Sequence, residues 1–296
     1  MIKKIILILI FLITSFSFSQ INQDEIEKIS IKNGFYLLNI LDQKLLNNNY
    51  ITTKQKQYVA RVLNNKIINQ KIYNILNGNI TDAIEIEYAY SDNTFHNLKK
   101  MTYKDFKGNL IKEIVFNYDS EGLLVSKIEY DTLGEYDSKE IERTAYDYLD
   151  CKPEFINDLL DDFNSEHPNR VFYCLNITTF KKTKPNLSTQ VEVYNIGTGK
   201  VKEIYLNGDK NAKINKFYTY DYKDNISQIY LHQNDTIKLY KTLIENKFGD
   251  VITLIQGDVA LDYTYKYDKN KHWIKKVETS KDKNKRRVFI RSFTYY

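Results

Sequence analysis

Cysteine is scarce in this chain. Its 296 residues include two, Cys151 and Cys174, too few for a disulfide scaffold or a zinc-ribbon protein. Excess charge is small, with 43 Lys and Arg against 38 Asp and Glu. Removing Lys3 and Lys4 with a leader would take two from the formal net charge of +5. That leaves no electrostatic case for nucleic acid. Long apolar runs are confined to the N-terminus, so no later segment is expected to span a bilayer as a helix. Catalytic motifs are missing too: there is no G-x-S-x-G, Walker A or G-x-G-x-x-G pattern. Gly197-Thr198-Gly199 precedes a strand pattern and reads as a hairpin turn. The histidines His96, His167, His232 and His272 have no second His or Cys at ligand spacing, so no metal and no cofactor is expected. These absences point to a protein that is not an enzyme.

What is present begins with an address. Residues 1–19 carry Lys3 and Lys4, an apolar run from Ile5 to Ile13, and Ser17-Phe18-Ser19 as a small-x-small site before Gln20. This is the pattern of a cleaved secretory signal peptide. The run is shorter than the about 20 residues a spanning helix needs. The protein is therefore expected to be exported, to the periplasm, the outer membrane or beyond, with no transmembrane span after cleavage. Export permits a Cys151–Cys174 disulfide, worth about 3 kcal/mol for a loop of that size. Two buried free thiols are the alternative.

The mature chain divides by hydrophobic period. Residues 20–80 read as a small helical region. Leu37, Leu38, Leu41 and Leu45 fall at helical spacing, Thr52 to Gln55 resembles a capping box, and Gly78 sits where a helix would stop. A hairpin turning at Asn64-Asn65 is the competing reading. From residue 81 the period becomes 2, over 81–149 and again over 170–296. Tyr263, Tyr265 and Tyr267 alternate with Thr264 and Lys266, the mark of an antiparallel strand with one packed face. Polar turns such as Asn207-Gly208-Asp209 and Gln256-Gly257-Asp258 separate the strands. Between the two β segments, 150–169 reads as one inserted helix, with Pro153 at its start and Pro168 beyond its end. Its acids Asp158, Asp161, Asp162 and Glu166 read as a solvated face. The fold class expected is mainly β with added α: a long antiparallel meander of hairpins, one inserted helix and a helical N-terminal region.

The β segments repeat a unit. An aromatic-x-Tyr-Asp end, a short turn with Gly or Asn, and an aliphatic-Lys strand recur at Phe116–Leu124, Tyr218–Ile226 and Tyr265–Lys276. Ile128–Gly134 has Ile in the aromatic place, and weaker copies lie at Tyr103–Leu110 and Asn246–Val251. The Asp can accept turn amides and the Gly or Asn can take a left-handed conformation. These residues resemble the YD repeats of the bacterial RHS/YD-repeat superfamily, and above all its small secreted members. The resemblance implies a long hairpin sheet in the cell envelope and an association with carbohydrate.

On these grounds the chain reads as an exported, non-enzymatic β-repeat scaffold or binding protein of the envelope, its partner an envelope protein or glycan. The alternative is a carbohydrate-binding module in which Trp273, Tyr263, Tyr265 and Tyr267 offer ring faces to sugars. Lys281, Lys283, Lys285, Arg286 and Arg287 read as a hydrated hairpin tip, or as a contact for anionic glycan or lipid headgroups. The wet faces of the strands carry Lys or Glu, as at Lys112-Glu113 and Lys275-Lys276, and so lack the continuous apolar band of an outer-membrane barrel.

Overall fold

The computed structural model describes residues 31–92, 96–131, 139–150, 172–181, 184–195, 201–206, 214–220, 226–233, 236–281 and 283–295. The described residues form strands and turns without a helix. In chain order the strands are β1 (Gly34–Leu46), β2 (Asn49–Leu63), β3 (Lys66–Leu76), β4 (Asn79–Tyr90), β5 (Leu98–Asp105), β6 (Leu110–Tyr118), β7 (Leu124–Asp131), β8 (Lys139–Asp150) and β9 (Phe172–Lys181). They continue as β10 (Lys184–Asn195), β11 (Val201–Leu206), β12 (Ile214–Tyr220), β13 (Ile226–Gln233), β14 (Thr236–Glu245), β15 (Val251–Gln256), β16 (Val259–Tyr267), β17 (Trp273–Ser280) and β18 (Lys285–Tyr295). The chain divides into two compact units. Unit 1 holds Ile114–Tyr130 and Lys139–Thr242, and unit 2 holds the described parts of Ser17–Glu113 and Leu243–Tyr296.

The expected helical region 20–80 is corrected: from residue 34 on, it is strand and turn. The reason lies in β1. Tyr36, Leu38 and Ile40 are buried at alternate positions, yet Phe35, Leu37 and Leu41 on the other face are half-buried as well. Apolar residues on both faces erase the alternation, and the leucines then match helical spacing by coincidence. The turns carry the decisive signal. Asn47-Asn48, Asn64-Asn65 and Asn77-Gly78 have φ of 48° and 64°, 50° and 61°, 52° and 79°. Two successive left-handed residues form the two-residue hairpin whose twist suits its flanking strands. The hairpin at Asn64-Asn65 is thus present, and Gly78 turns a hairpin instead of stopping a helix. The supposed capping box lies inside β2, where the register slips by one residue against Asp42 and Gln43. The inserted helix (150–169) and the signal segment (1–19) lie outside the described residues, Asp150 excepted.

In unit 2, β15 to β18 pair in succession, β18 pairs with β1, and β1 to β5 follow, all antiparallel. The first and last strands therefore lie side by side, with Gly34 opposite Tyr295 and Lys44 opposite Lys285. Register places Tyr36 beside Ala60 and Phe293, and Leu38 beside Tyr58 and Arg291. The core of this unit forms there, from Ile31, Tyr36, Leu38, Ile40, Tyr58, Ala60, Val62, Ile67 and Phe289. In unit 1, β8 to β14 pair in succession, again antiparallel. Cys174, Leu175, Ile177 and Val191 are among its buried residues.

One five-residue turn recurs in both units. The side chain of its first residue accepts two backbone amides. Asp119 Oδ1 accepts from Glu121 and Leu123, each at 2.9 Å. Asp268 Oδ1 accepts from Asn270 at 2.8 Å and His272 at 2.9 Å. Asp105 and Asn246 do the same. The fourth residue is left-handed: Gly108, Gly122, Gly249 and Lys271. The local physics read in the repeat is therefore present at these four turns.

Candidate functional site

The aromatic residues singled out in the sequence meet on one face of unit 2. Alternation along β16 puts Tyr263, Tyr265 and Tyr267 on the same side, and register sets Tyr265 opposite Lys276 and Tyr267 opposite Trp273. Tyr265 lies 5.9 Å from Tyr267 and 6.4 Å from Trp273, centroid to centroid. Each group already has a partner in the protein. Tyr265 donates its hydroxyl to the Val251 carbonyl at 2.8 Å. Tyr267 donates to Asp250 Oδ2 at 2.6 Å and accepts from Asn246 Nδ2 at 2.7 Å. Tyr263 is buried at 6% exposure. Trp273 is half-buried, and the Arg291 guanidinium stands 3.8 Å above its ring. The Arg291 Nε also donates to the Trp273 carbonyl. A flat cation over an aromatic face is attractive, the more so when shielded from water.

Burial is the main reason these phenols hold their protons. It pushes Tyr263 and Tyr265 well above the ordinary tyrosine value, helped by the charges of Glu278 and Asp250 respectively. Tyr267 is pushed up to about 12 by burial and by its bond to Asp250. Lys276, placed on a wet face by the sequence reading, lies instead among rings, with its ammonium 4.3 Å from the Phe289 centroid and 5.6 Å from Tyr263. Lys276 and Arg291 are the residues the sequence reading missed here. Their signal was register with Tyr265 and Leu38, which only the strand pairing reveals.

Unit 1 has a different centre. Glu192 is 1% exposed, with Gln190 Nε2 donating to it at 2.5 Å. Register forms two rows beside it, Tyr148–Leu175–Glu192 and Tyr146–Ile177–Gln190. Burial, then the Glu192 charge, pushes Tyr218 up to about 12. Burial, then Glu192 and Glu142, pushes Tyr146 to about 12. Tyr118 and Tyr148 move the same way, with burial first and neighbouring groups after it. The Tyr148 hydroxyl is buried without a hydrogen-bond partner. Phenols that resist ionisation beside a carboxylate make a polar core, and they are poor bases near neutral pH.

Cys174 is buried and disulfide-bonded, while Cys151 lies outside the described residues. His96 is a left-handed turn residue, and His272 Nδ1 is 3.8 Å from Asp268. His167, the acids of 158–166 and the turn at 197–199 lie outside the described residues, as does the side chain of His232. Among the described residues no group of three or more His, Cys, Asp or Glu could hold a metal, and no helix is long and apolar enough to cross a membrane.

No family model matches the chain, and no curated protein matches it. Among solved structures, a porin-like protein from Bacteroides uniformis is 11% identical, with 88% of this chain and 98% of that chain covered and a TM-score of 0.30. A protein described as an outer membrane lipoprotein-sorting domain, from Vibrio parahaemolyticus, is 10% identical, with 92% and 94% covered and a TM-score of 0.23. A DUF1329 family protein from Desulfovibrio piger is 8% identical, with 92% and 90% covered and a TM-score of 0.17. None of the three reaches a score at which a shared fold or activity follows. No family model matches, that of the YD repeat included, so the resemblance to the RHS/YD-repeat superfamily is corrected. The turn that suggested it is a local solution to joining strands, available to any sheet with Asp or Asn at the strand end.

Proposed function

We propose that this chain is an exported, non-enzymatic binding protein of the bacterial cell envelope, with its antiparallel sheets as scaffold. Export is supported by the residue 1–19 pattern and by the disulfide at Cys174, a bond at home in oxidising compartments. The single observation behind the scaffold reading is how the packed face of unit 2 uses its aromatic groups. Tyr265 and Tyr267 bond to the protein's own groups, and Arg291 covers Trp273. Their polar ends and ring faces serve the fold, which leaves the exposed strand ends and turns to meet a partner.

The test has two arms. The gene is expressed with its own N-terminus, and the protein recovered outside the cytoplasm is sequenced from its first residue. A start at Gln20 is expected. A cytoplasmic product beginning at residue 1 would sink the export reading. The exported protein is then immobilised and offered envelope extract, untreated or digested with protease or polysaccharide hydrolases. Specific capture abolished by one digestion supports binding and names the partner's class. Turnover of a small molecule in the same extract would overturn the non-enzymatic reading.

A further inference from the structure

The hairpins at one end of unit 2 share a property that packing does not explain. The β1–β2, β3–β4, β5–β6, β15–β16 and β17–β18 turns all lie at that end, because the strands alternate in direction and Lys285 of β18 stands opposite Lys44 of β1. Large apolar side chains stand exposed on four of these five hairpins. Phe106 is 69% exposed and Ile80 62%. Leu46, Ile51, Leu76 and Val259 are exposed beside other tips. Single exposed apolar residues are ordinary, but a row repeated from hairpin to hairpin along one edge marks an interaction surface.

The charge at this edge selects the partner. Lys44, Lys54, Lys281, Lys283 and Lys285 are exposed on two hairpins joined through the β1–β18 ladder. Lys44 and Lys285 stand directly opposite, a like-charge pair that destabilises a sheet unless an anion lies between them. Asp42 at this edge is already engaged by Arg287 at 2.6 Å. Asp82, Asp105, Asp258 and Asp262 offset part of this charge from the β3–β4, β5–β6 and β15–β16 hairpins, and Asp105 is engaged by the amides of its own turn. The basic turn is also held in place. Tyr50 donates its hydroxyl to the Lys283 carbonyl at 2.7 Å, the Leu45 amide donates to the Asn284 carbonyl at 2.9 Å, and Arg286 lies 3.8 Å from the Tyr50 ring centroid.

We propose that this edge of unit 2 docks on an anionic lipid bilayer, with Phe106, Ile80 and their neighbours entering the headgroup boundary and the lysines meeting lipid phosphates. This deepens the binding role proposed above by naming the partner. A bilayer suits the edge better than a protein pocket does. The apolar side chains sit on separate tips with Lys between them, and a fluid interface admits each tip independently. Apolar insertion combined with attraction to anionic lipid is the general recipe for peripheral binding.

The test is co-sedimentation of the purified exported protein with two kinds of vesicle. One is phosphatidylcholine alone, and the other is equal parts phosphatidylcholine and phosphatidylglycerol. Binding to the anionic vesicles that weakens with added salt is expected. Ile80→Ser with Phe106→Ser should lower the partition coefficient by about tenfold or more. Lys281→Gln with Lys283→Gln and Lys285→Gln should remove the preference for phosphatidylglycerol. Leu63→Ser with Tyr295→Ser, exposed at the opposite end, should bind like the parent chain. Circular dichroism confirms that each variant is folded. Equal binding by the Ile80/Phe106 variant, or no binding to either vesicle, overturns the proposal. Sedimentation equilibrium showing a dimer that this variant abolishes also overturns it, in favour of a second copy at this edge. Failure here with successful capture of an envelope protein or glycan leaves the broader reading intact. A cytoplasmic product defeats the broader reading whatever the vesicles show.

Discussion

The two units build their interiors from the same residue types and pair them differently. In unit 2 the polar ends of aromatic side chains are bonded across strands, as in Tyr88 to Gln70 at 2.8 Å and Tyr90 to the Ile67 carbonyl at 2.9 Å. Lys276 and Arg291 there lie over rings. In unit 1 an acid is buried, and phenols crowd it. A sheet of alternating Tyr thus sets no chemistry by itself. What faces the ring across the ladder decides whether it serves as a hydrogen-bond donor, a cation platform or a reluctant acid.

The largest effect that can sharpen this contrast comes from Gly34. It has φ +151°, and a Cβ there would lie 1.9 Å from the Thr294 carbonyl oxygen. That oxygen belongs to the backbone of β18, so no side chain can move aside. Gly34→Ala is expected to cost about 3 kcal/mol or more and to loosen β1 against β18. Denaturant unfolding measures the loss. Hydrogen exchange by segment should find unit 2 affected before unit 1. Equal exposure of both would mean that the units do not respond separately.

The disulfide offers the converse test. Peptide mapping without reductant should return Cys151 joined to Cys174. Cys174→Ser should lower stability by about 3 kcal/mol, with exchange protection lost first in β9 and β10. Loss of protection in β1 or β18 as early as in β9 would contradict the assignment of this bond to unit 1.

How much of this could be read in the sequence depends on where each signal resides. β16 was legible because Tyr263, Tyr265 and Tyr267 alternate against Thr264 and Lys266, so one strand contains its own evidence. The four capped turns were legible because donor and acceptor lie within five residues. β1 was misread because both its faces are apolar. Lys276, Arg291 and Glu192 were illegible for a different reason. Each is an ordinary charged residue in an alternating strand, and its role comes from partners on other strands. Glu192 acquires its place from Tyr146 and Leu175, which no local pattern connects to it.

Alkaline pH probes that non-local chemistry. An unfolded tyrosine ionises near about 10, whereas Tyr146 and Tyr218 are pushed up to about 12. Below the unfolded value both states are neutral and stability is unaffected. Above it the unfolded chain loses protons that the folded chain keeps, so stability falls as pH rises toward 12. A loss on the order of 2 kcal/mol for each of these two tyrosines is expected over that window. Glu192→Gln removes a charge that holds the phenols neutral, and burial, the larger cause, remains. Tyr146 and Tyr218 should then ionise earlier, though still above 10, as followed by NMR of ring-labelled tyrosine. Tyr267 of unit 2, raised by burial and Asp250, should not move. A shift of Tyr267 in this variant, or none at Tyr146, would break the assignment.

The smallest effect is the one in which the units should agree. Asp119 in unit 1 and Asp268 in unit 2 each accept two amides of the same turn. Asp119→Ala and Asp268→Ala should each cost about 1 kcal/mol, the net worth of such partly solvated bonds. The fourth residue separates the two turns. It is Gly122 in one, with φ 81°, and Lys271 in the other, with φ 65°. A lysine is strained there and glycine is not. Lys271→Gly should therefore stabilise unit 2 by up to about 1 kcal/mol, because the relief of strain exceeds the added freedom of the unfolded chain. Gly122→Lys should do the reverse in unit 1. Opposite signs of similar size, read from denaturation midpoints, would establish that the turn is one device used twice. Equal signs would show that the surrounding sheet, and not the turn, sets the conformation of its fourth residue.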